Sequence, residues 1–255
     1  MVAWAGSPVV EVPDLIAVLA DAGRRLGDAA TACSLDDAVP TCVGWTVRDL
    51  VHHVGGVHRW ATSYVLEGKA LPSRDEDARY FAQVPDAELV SWYCQGHGAL
   101  VAALSAADPA MTCWTFLPAP SPLAFWTRRQ AHETAVHCAD AEASARWPSE
   151  FPIDFALDGI DELLNGFFAR PKGRLVADPP VALAIRPIDA DLAWTIRIEG
   201  DRRTVSPGVG QADCLITGRS SDLYLLLWNR AQPGHPVDVT GDHRVMELWT
   251  QKAQV

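Results

Sequence analysis

The side chains best equipped for chemistry fall in one stretch, residues 128–142, which reads RRQAHETAVHCADAE. It is rich in Ala and free of Gly and Pro, so it is expected to be helical. Glu133 and His137 then lie about 40° apart around the helix, one turn above each other, and two metal-capable groups share one face. His132 looks like the start of a zinc-protease HExxH, but the run is HExxxH, and His132 and His137 project about 140° apart. That excludes the protease geometry and makes Glu133 a candidate ligand rather than a general base. An acid and an imidazole at this spacing equally suit a surface or buried polar pair with no metal. A third ligand has to come from elsewhere in the chain.

The next histidines occur in GWTVRDLVHHVGGVHRWATSYV. Thr46 is placed as N-cap, Asp49 can complete a capping box and Trp45 can staple onto Leu50, so this helix starts near Val47. Its apolar stripe includes Leu50, Val51, Val54 and Ala61. His52 lies nearly opposite the stripe and is expected in solvent, whereas His58 falls within it and His53 at its edge, about 90° from the centre. Periodicity leaves His53 and His58 both open as ligands, and each also reads as a hydrogen-bonded helix histidine. Gly55 and Gly56 inside a helix point to close approach by another helix or a ligand, or to packing alone.

Two further helices complete the frame. Helical spacing of apolar residues marks residues 13–31, led by Pro13, and residues 87–106, which follow a charged segment at 72–86. The stretch ADPAMTCWTFLPAPSPLAFW is expected to be irregular because of its prolines, yet it is too apolar for a solvated linker. A four-helix bundle through about Arg146 results. IDFALDGIDELLNGFFAR reads as one more helix, ended by Pro171, Lys172 and Gly173. Beyond it the period changes to two: VALAIRP, DLAWTIRIEG and ADCLITG are strands, with EGD at a hairpin turn. SSDLYLLLWNR, capped by Ser220 or Ser221, is a helix, VDVTG a strand and DHRVMELWTQ a closing helix. The fold class is thus α followed by α+β: a helical domain over residues 1–150, then a connecting helix and smaller α+β domain over 151–255.

The formal net charge of the 255 residues is −11, with no basic run longer than a pair. That argues against nucleic acid and anionic membrane surfaces as partners. The N-terminus has no positive region before its apolar residues, so it does not read as a signal peptide, and no stretch approaches the ~18 apolar residues of a membrane span. Six cysteines are scattered without a CxxC pair, which suits a reduced, cytoplasmic protein with mostly buried thiols.

WTVRDLVHHVGGVHRWA, FWTRRQAHETAVHCADAE, FALDGIDELL and CLITGRSSDLYLLLWNR, in this order, resemble the mycothiol-dependent maleylpyruvate isomerase family of actinobacterial proteins. The resemblance covers nearly the whole chain. It implies a DinB-like four-helix bundle followed by a small sterol-carrier-like domain. It also implies a divalent metal, usually zinc, held by a histidine of the second helix and by an acid and a histidine one turn apart on the fourth. On this sequence those positions are His53, Glu133 and His137. Asp140 matches a family Asp and can orient a ligand imidazole, or serve as a plain surface or capping carboxylate. Arg230 matches a position suited to binding a substrate carboxylate, although a helix C-terminal arginine favoured by the dipole is as good an account.

Two histidines and one carboxylate leave the fourth position of a tetrahedral zinc open, as in catalytic sites. The resemblance therefore implies a metal-activated thiolate drawn from mycothiol or another low-molecular-weight thiol, acting on a small electrophile. As an isomerase, the thiolate adds to a conjugated cis double bond, the new single bond rotates, and elimination returns the thiol with the trans product. As an S-transferase, it stays attached as a conjugate. Two alternatives stand beside this. One is a non-catalytic metal-containing protein that binds a small molecule or a regulatory partner; the other is a non-haem iron protein, since the same ligand set suits Fe(II).

Overall fold

The computed structural model describes residues 10–72, 78–170, 173–231 and 236–254. The N-terminal nine residues, residues 73–77 of the charged segment at 72–86 and the Pro171-Lys172 helix stop lie outside them. The chain divides into two compact units, Glu11–Ser149 and a second built on Glu150–Val255.

The first unit holds four long helices, α1 (Val12–Ala32), α2 (Val47–Glu67), α3 (Asp86–Ala106) and α4 (Pro122–Ala145), with a 3-10 turn at Ala78–Phe81. Helix α1 packs against α3 and α4, and α2 packs against both of these as well, which makes a four-helix bundle. Its core includes Leu19, Leu26, Leu50, Tyr64, Leu100 and Trp126, each at most 1% exposed. A charged clamp ties α1 to α4: Arg25 donates through Nε and Nη2 to the two oxygens of Glu142, each at 2.8 Å.

Helix α2 starts where the capping residues place it. Thr46 Oγ1 accepts the Asp49 N–H at 3.3 Å, and Asp49 Oδ2 accepts the Thr46 N–H at 2.8 Å. Such a box satisfies two amide donors and contributes on the order of 1 kcal/mol. Helix α4 begins earlier than the prolines suggest. Ser121 caps it by accepting the Ala124 N–H at 3.1 Å, and Pro122 takes the first helical position, where a missing N–H costs nothing. Residues 122–126, expected to be irregular, are therefore helical.

The Gly55-Gly56 pair is explained by side chains rather than by backbone or ligand. A Cβ on Gly55 would stand 2.2 Å from the Trp92 ring, and one on Gly56 2.4 Å from the Phe81 ring. Those rings lie against the helix in the space two missing methyls leave.

In the second unit α5 (Ile153–Asp161) runs into a π-helical segment, Glu162–Phe167, so the expected single α-helix changes its hydrogen-bond step midway. Five strands follow in the sheet order β3-β2-β1-β4-β5: β1 (Ala177–Pro187), β2 (Trp194–Gly200), β3 (Arg202–Pro207), β4 (Cys214–Gly218) and β5 (Asp238–Gly241). The β1–β4 pair is parallel and the other pairs are antiparallel. Helix α6 (Ser220–Leu227) occupies the crossover between β4 and β5, and α7 (Arg244–Lys252) closes the unit. The cap of α6 differs from expectation. Arg219 is the N-cap residue and makes no side-chain cap bond, while Asp189 accepts from the Ser220 N–H at 2.9 Å and from its Oγ at 2.6 Å. No helix among the described residues is long and apolar enough to cross a membrane.

Candidate metal centre

Three side chains from α2 and α4 converge. His53 Nε2, from α2, lies 3.5 Å from Glu133 Oε1, and His137 Nε2, one turn beyond Glu133 on α4, lies 3.4 Å from the same oxygen. All three donor atoms fall within 4.8 Å of one another. Charge-assisted hydrogen bonds between such groups run about 2.7–2.9 Å, so these atoms stand farther apart than partners that bond only to each other. Zinc bonds of about 2.0–2.1 Å arranged tetrahedrally put neighbouring ligand atoms about 3.3 Å apart. The spacing and the donor chemistry therefore fit one shared divalent ion, with His53, Glu133 and His137 as its ligands.

Each of the three side chains has neighbours that fix its direction. His137 donates from Nδ1 to Asp140 Oδ2 at 2.8 Å, which turns Nε2 toward the cluster. Asp140 is fully buried, and the loop before α2 satisfies it: Thr41 Oγ1 donates to Oδ1 at 2.5 Å and Cys42 Sγ to Oδ2 at 3.2 Å. Glu133 Oε2 accepts from Arg129 Nη2 at 3.1 Å. Trp45 lies against both imidazoles, nearly parallel to His137 (12°, ring centroids 6.2 Å) and edge-on to His53 at 5.0 Å. Phe81 adds a tilted contact to His53 at 6.3 Å.

The charges are arranged to match. Burial by itself would raise the Glu133 carboxyl, but the facing imidazoles of His137 and His53 and the charge of Arg129 outweigh it and hold the group well below the usual carboxylate range. Burial likewise lowers His137, yet Asp140 and Glu133 prevail and push it up to about 9. His137 is thus protonated at neutral pH, and a metal ion held by Nε2 would have to replace the proton there.

The remaining histidines go elsewhere. His58 is fully buried and pairs through Nε2 with Thr134 Oγ1 at 2.8 Å, so the helix-two histidine that joins Glu133 and His137 is His53. His52 is not in open solvent as expected: it stacks on Trp92 at 5.7 Å and bonds the Ala82 carbonyl at 3.0 Å. His132 is fully buried within α4. A second group of potential ligands, Cys42, His137 and Asp140, shares His137 with the first, and its members already bond to one another.

Of the cysteines, Cys138 and Cys214 are buried, Cys94 is exposed and the other three are half-buried, so fewer are enclosed than expected; none of the six is in a disulfide among the described residues. Burial pushes the Cys138 thiol well up, which makes it a poor nucleophile despite its place beside His137. Arg230 lies in the second unit just beyond α6, half-buried, with Nη1 donating to the Trp228 carbonyl at 2.9 Å.

Sequence reasoning did not single out Arg129, Thr41 and Cys42, and it gave Trp45 only a stapling role. Arg129 carried a readable signal, since it stands one turn before Glu133 on the same helix face. Thr41 and Cys42 carried none, because their partner Asp140 is roughly a hundred positions away.

Comparison with known proteins follows the same outline. Residues 16–142 match the model for the mycothiol maleylpyruvate isomerase N-terminal domain, and residues 154–248 match the model for the C-terminal domain of that protein. Among solved structures, the mycothiol-dependent maleylpyruvate isomerase superposes with a TM-score of 0.60 at 14% identity, covering 91% of this chain and 95% of that one. A histidine-to-alanine mutant of that isomerase gives 0.62 at 12% identity with the same coverage. At such identities these likenesses speak for the fold. No curated protein matches the chain. With two family models together spanning most of its length, in the expected order, the chain belongs to the mycothiol-dependent maleylpyruvate isomerase family.

Proposed function

We propose that this protein is a thiol-dependent metalloenzyme that applies mycothiol, or another low-molecular-weight thiol, to a small electrophile, with cis–trans isomerisation of a maleylpyruvate-type substrate as the leading reaction. The observation that carries the reading is the convergence of His53 Nε2, Glu133 Oε1 and His137 Nε2 within 4.8 Å, a set of three protein ligands of the kind that leaves a catalytic position free. When bound there, a divalent ion such as zinc lowers a thiol pKa from about 8.5 so that the thiolate is available at neutral pH.

The chain's own residues do the positioning. Asp140 Oδ2 keeps the Nδ1 proton of His137 and so presents Nε2 to the site. Arg129 holds one oxygen of Glu133, Trp45 lays its ring against both imidazoles and Phe81 adds a contact to His53. In both versions of the chemistry the thiolate sulfur bonds to an electrophilic carbon of the substrate. In the isomerase that C–S bond breaks again after rotation, and thiol is regenerated; in an S-transferase it persists. Arg230 is proposed to hold a substrate carboxylate, on the strength of its matching family position and the fit of a guanidinium fork to a carboxylate.

The test is to incubate zinc-loaded protein with mycothiol and either maleylpyruvate or a panel of electrophiles, and to follow products by mass spectrometry. A trans product of unchanged mass with mycothiol recovered supports the isomerase, and a stable S-conjugate identifies a transferase. Inactivity across the panel, with no thiol binding by calorimetry, would leave a non-catalytic metal protein. Elemental analysis of purified protein separates zinc from iron.

A further inference from the structure

Glu133 divides its two oxygens between unlike neighbours. Oε1 faces His53 Nε2 at 3.5 Å and His137 Nε2 at 3.4 Å, whereas Oε2 accepts from Arg129 Nη2 at 3.1 Å. Arg129 is only 3% exposed and lies one turn before Glu133 on α4. A guanidinium keeps its charge at every accessible pH, and burying it without an opposing charge is costly. Swinging Oε2 away from Arg129 would break this pair inside the bundle.

A carboxylate beside a divalent ion binds through one oxygen or closes on it with both. The second mode fills one more position around the ion and crowds an incoming ligand. We infer that Arg129 is a positioning residue that holds Glu133 in the one-oxygen mode and so keeps space on the metal for the thiol. The inference rests on the reading of His53, Glu133 and His137 as a metal site. It adds to that reading a residue whose job is to set how many positions the protein itself occupies.

Cobalt(II) in place of zinc reports this directly, because four-coordinate cobalt absorbs visible light much more strongly than five-coordinate cobalt. Wild-type protein titrated with cobalt(II) is expected to show the intense four-coordinate spectrum. Arg129→Met is expected to bind cobalt with undiminished affinity, to lose most of the visible intensity, and to bind mycothiol about tenfold more weakly. Arg129→Lys, which retains a charged donor, is expected to recover the wild-type spectrum. A residue needed only for folding would lower thermal stability without changing the spectrum of whatever protein remains folded. Should Arg129→Met fail to fold, the crystal structure of the zinc-loaded wild-type protein decides the matter: Oε2 on Arg129 and outside bonding distance of zinc supports the inference, and both oxygens on zinc overturn it. An unchanged spectrum and unchanged thiol affinity in a folded Arg129→Met would overturn it as well. A wild-type protein that binds neither cobalt nor zinc sinks the metal-site reading and this inference together, whereas a metal-binding wild type with a two-oxygen Glu133 sinks this inference alone.

Discussion

Asp140 accepts the Nδ1–H of His137 at 2.8 Å while it also accepts from Thr41 and Cys42. Two loop residues, Thr41 and Cys42, thus help to set, through Asp140 on the same helix, the direction of the His137 imidazole. A buried carboxylate held by three donors has one orientation, and so has the imidazole that it grips. Asp140→Ala is expected to weaken zinc affinity about 10- to 100-fold, the usual effect of losing the partner of a ligand histidine. Thr41→Val should move affinity in the same direction by less, because Cys42 and His137 still hold the carboxylate. Competition with a chromophoric chelator measures both. Equal affinity in Asp140→Ala and wild type would remove Asp140 from the site.

The ligand assignment makes a sharper prediction. His53→Ala, Glu133→Ala and His137→Ala should each purify without stoichiometric metal, while His52→Ala, His58→Ala and His132→Ala retain it per folded molecule. His58 and His132 are fully buried, so their truncation costs stability and metal content has to be normalised to folded protein. Loss of metal in His58→Ala with retention in His53→Ala would reverse the helix-two assignment.

Metal uptake should depend on pH in a direction fixed by His137. In the metal-free protein Asp140 and Glu133 overcome the effect of burial and push this imidazole up to about 9. Below that value the ring carries a proton on Nε2 that an incoming ion has to displace. Apparent affinity is therefore expected to rise about tenfold per pH unit up to roughly 9 and to level off above it, with about one proton released per ion from this group at neutral pH. Calorimetric titration in buffers of different ionisation enthalpy counts that proton. Zinc binding with no proton release at pH 7 would contradict the arrangement.

These residues also mark how far the sequence could be read. The capping box at Thr46 and Asp49 and the one-turn spacing of Glu133 and His137 are local patterns, written within a few positions, and both appear as expected. The pairing of His53 with α4 was legible only through family resemblance, since periodicity treats His53 and His58 alike. The grip of Thr41 and Cys42 on Asp140, the place of Trp45 over the histidines and the filling of the Gly55-Gly56 groove by Trp92 and Phe81 all depend on how helices meet. No local pattern encodes such contacts. The start of α4 departs from expectation for a different reason: proline stops a helix from within but is welcome at its first position, where Pro122 stands.

Acid should destabilise the metal-free bundle through His58. Burial holds this imidazole well below its ordinary value, and the neighbouring ring of His97 acts in the same direction. The folded state therefore binds fewer protons than the unfolded chain. The corresponding stability is present above about pH 6.5, the value for an unfolded histidine, and is lost as pH falls below it. Thermal melts of metal-free protein between pH 7.5 and pH 5, run with His58→Gln alongside, check the sign: the variant should melt lower at pH 7.5 and lose less on acidification. A steeper loss in the variant would refute the assignment.

Two glycines in neighbouring helices should respond to alanine in opposite ways. At Gly98, on the exposed side of α3, a Cβ meets nothing within 4 Å, so Gly98→Ala gains helix propensity without a clash and should stabilise by about 0.5–1 kcal/mol. At Gly56 the same methyl would stand 2.4 Å from the Phe81 ring. Overpacking of this kind costs about 1–3 kcal/mol, enough to cancel or exceed the propensity gain, so Gly56→Ala should be neutral to destabilising by up to about 2 kcal/mol. The consequence reaches the metal centre, because Phe81 must shift and its ring lies 6.3 Å from that of His53. Gly56→Ala is therefore expected to change metal affinity as well as stability, whereas Gly98→Ala changes stability alone. Denaturant melts combined with chelator competition on the two variants separate the effects. A Gly56→Ala protein that is stabilised like Gly98→Ala, with unaltered metal affinity, would mean that Phe81 moves aside freely and takes no part in placing His53.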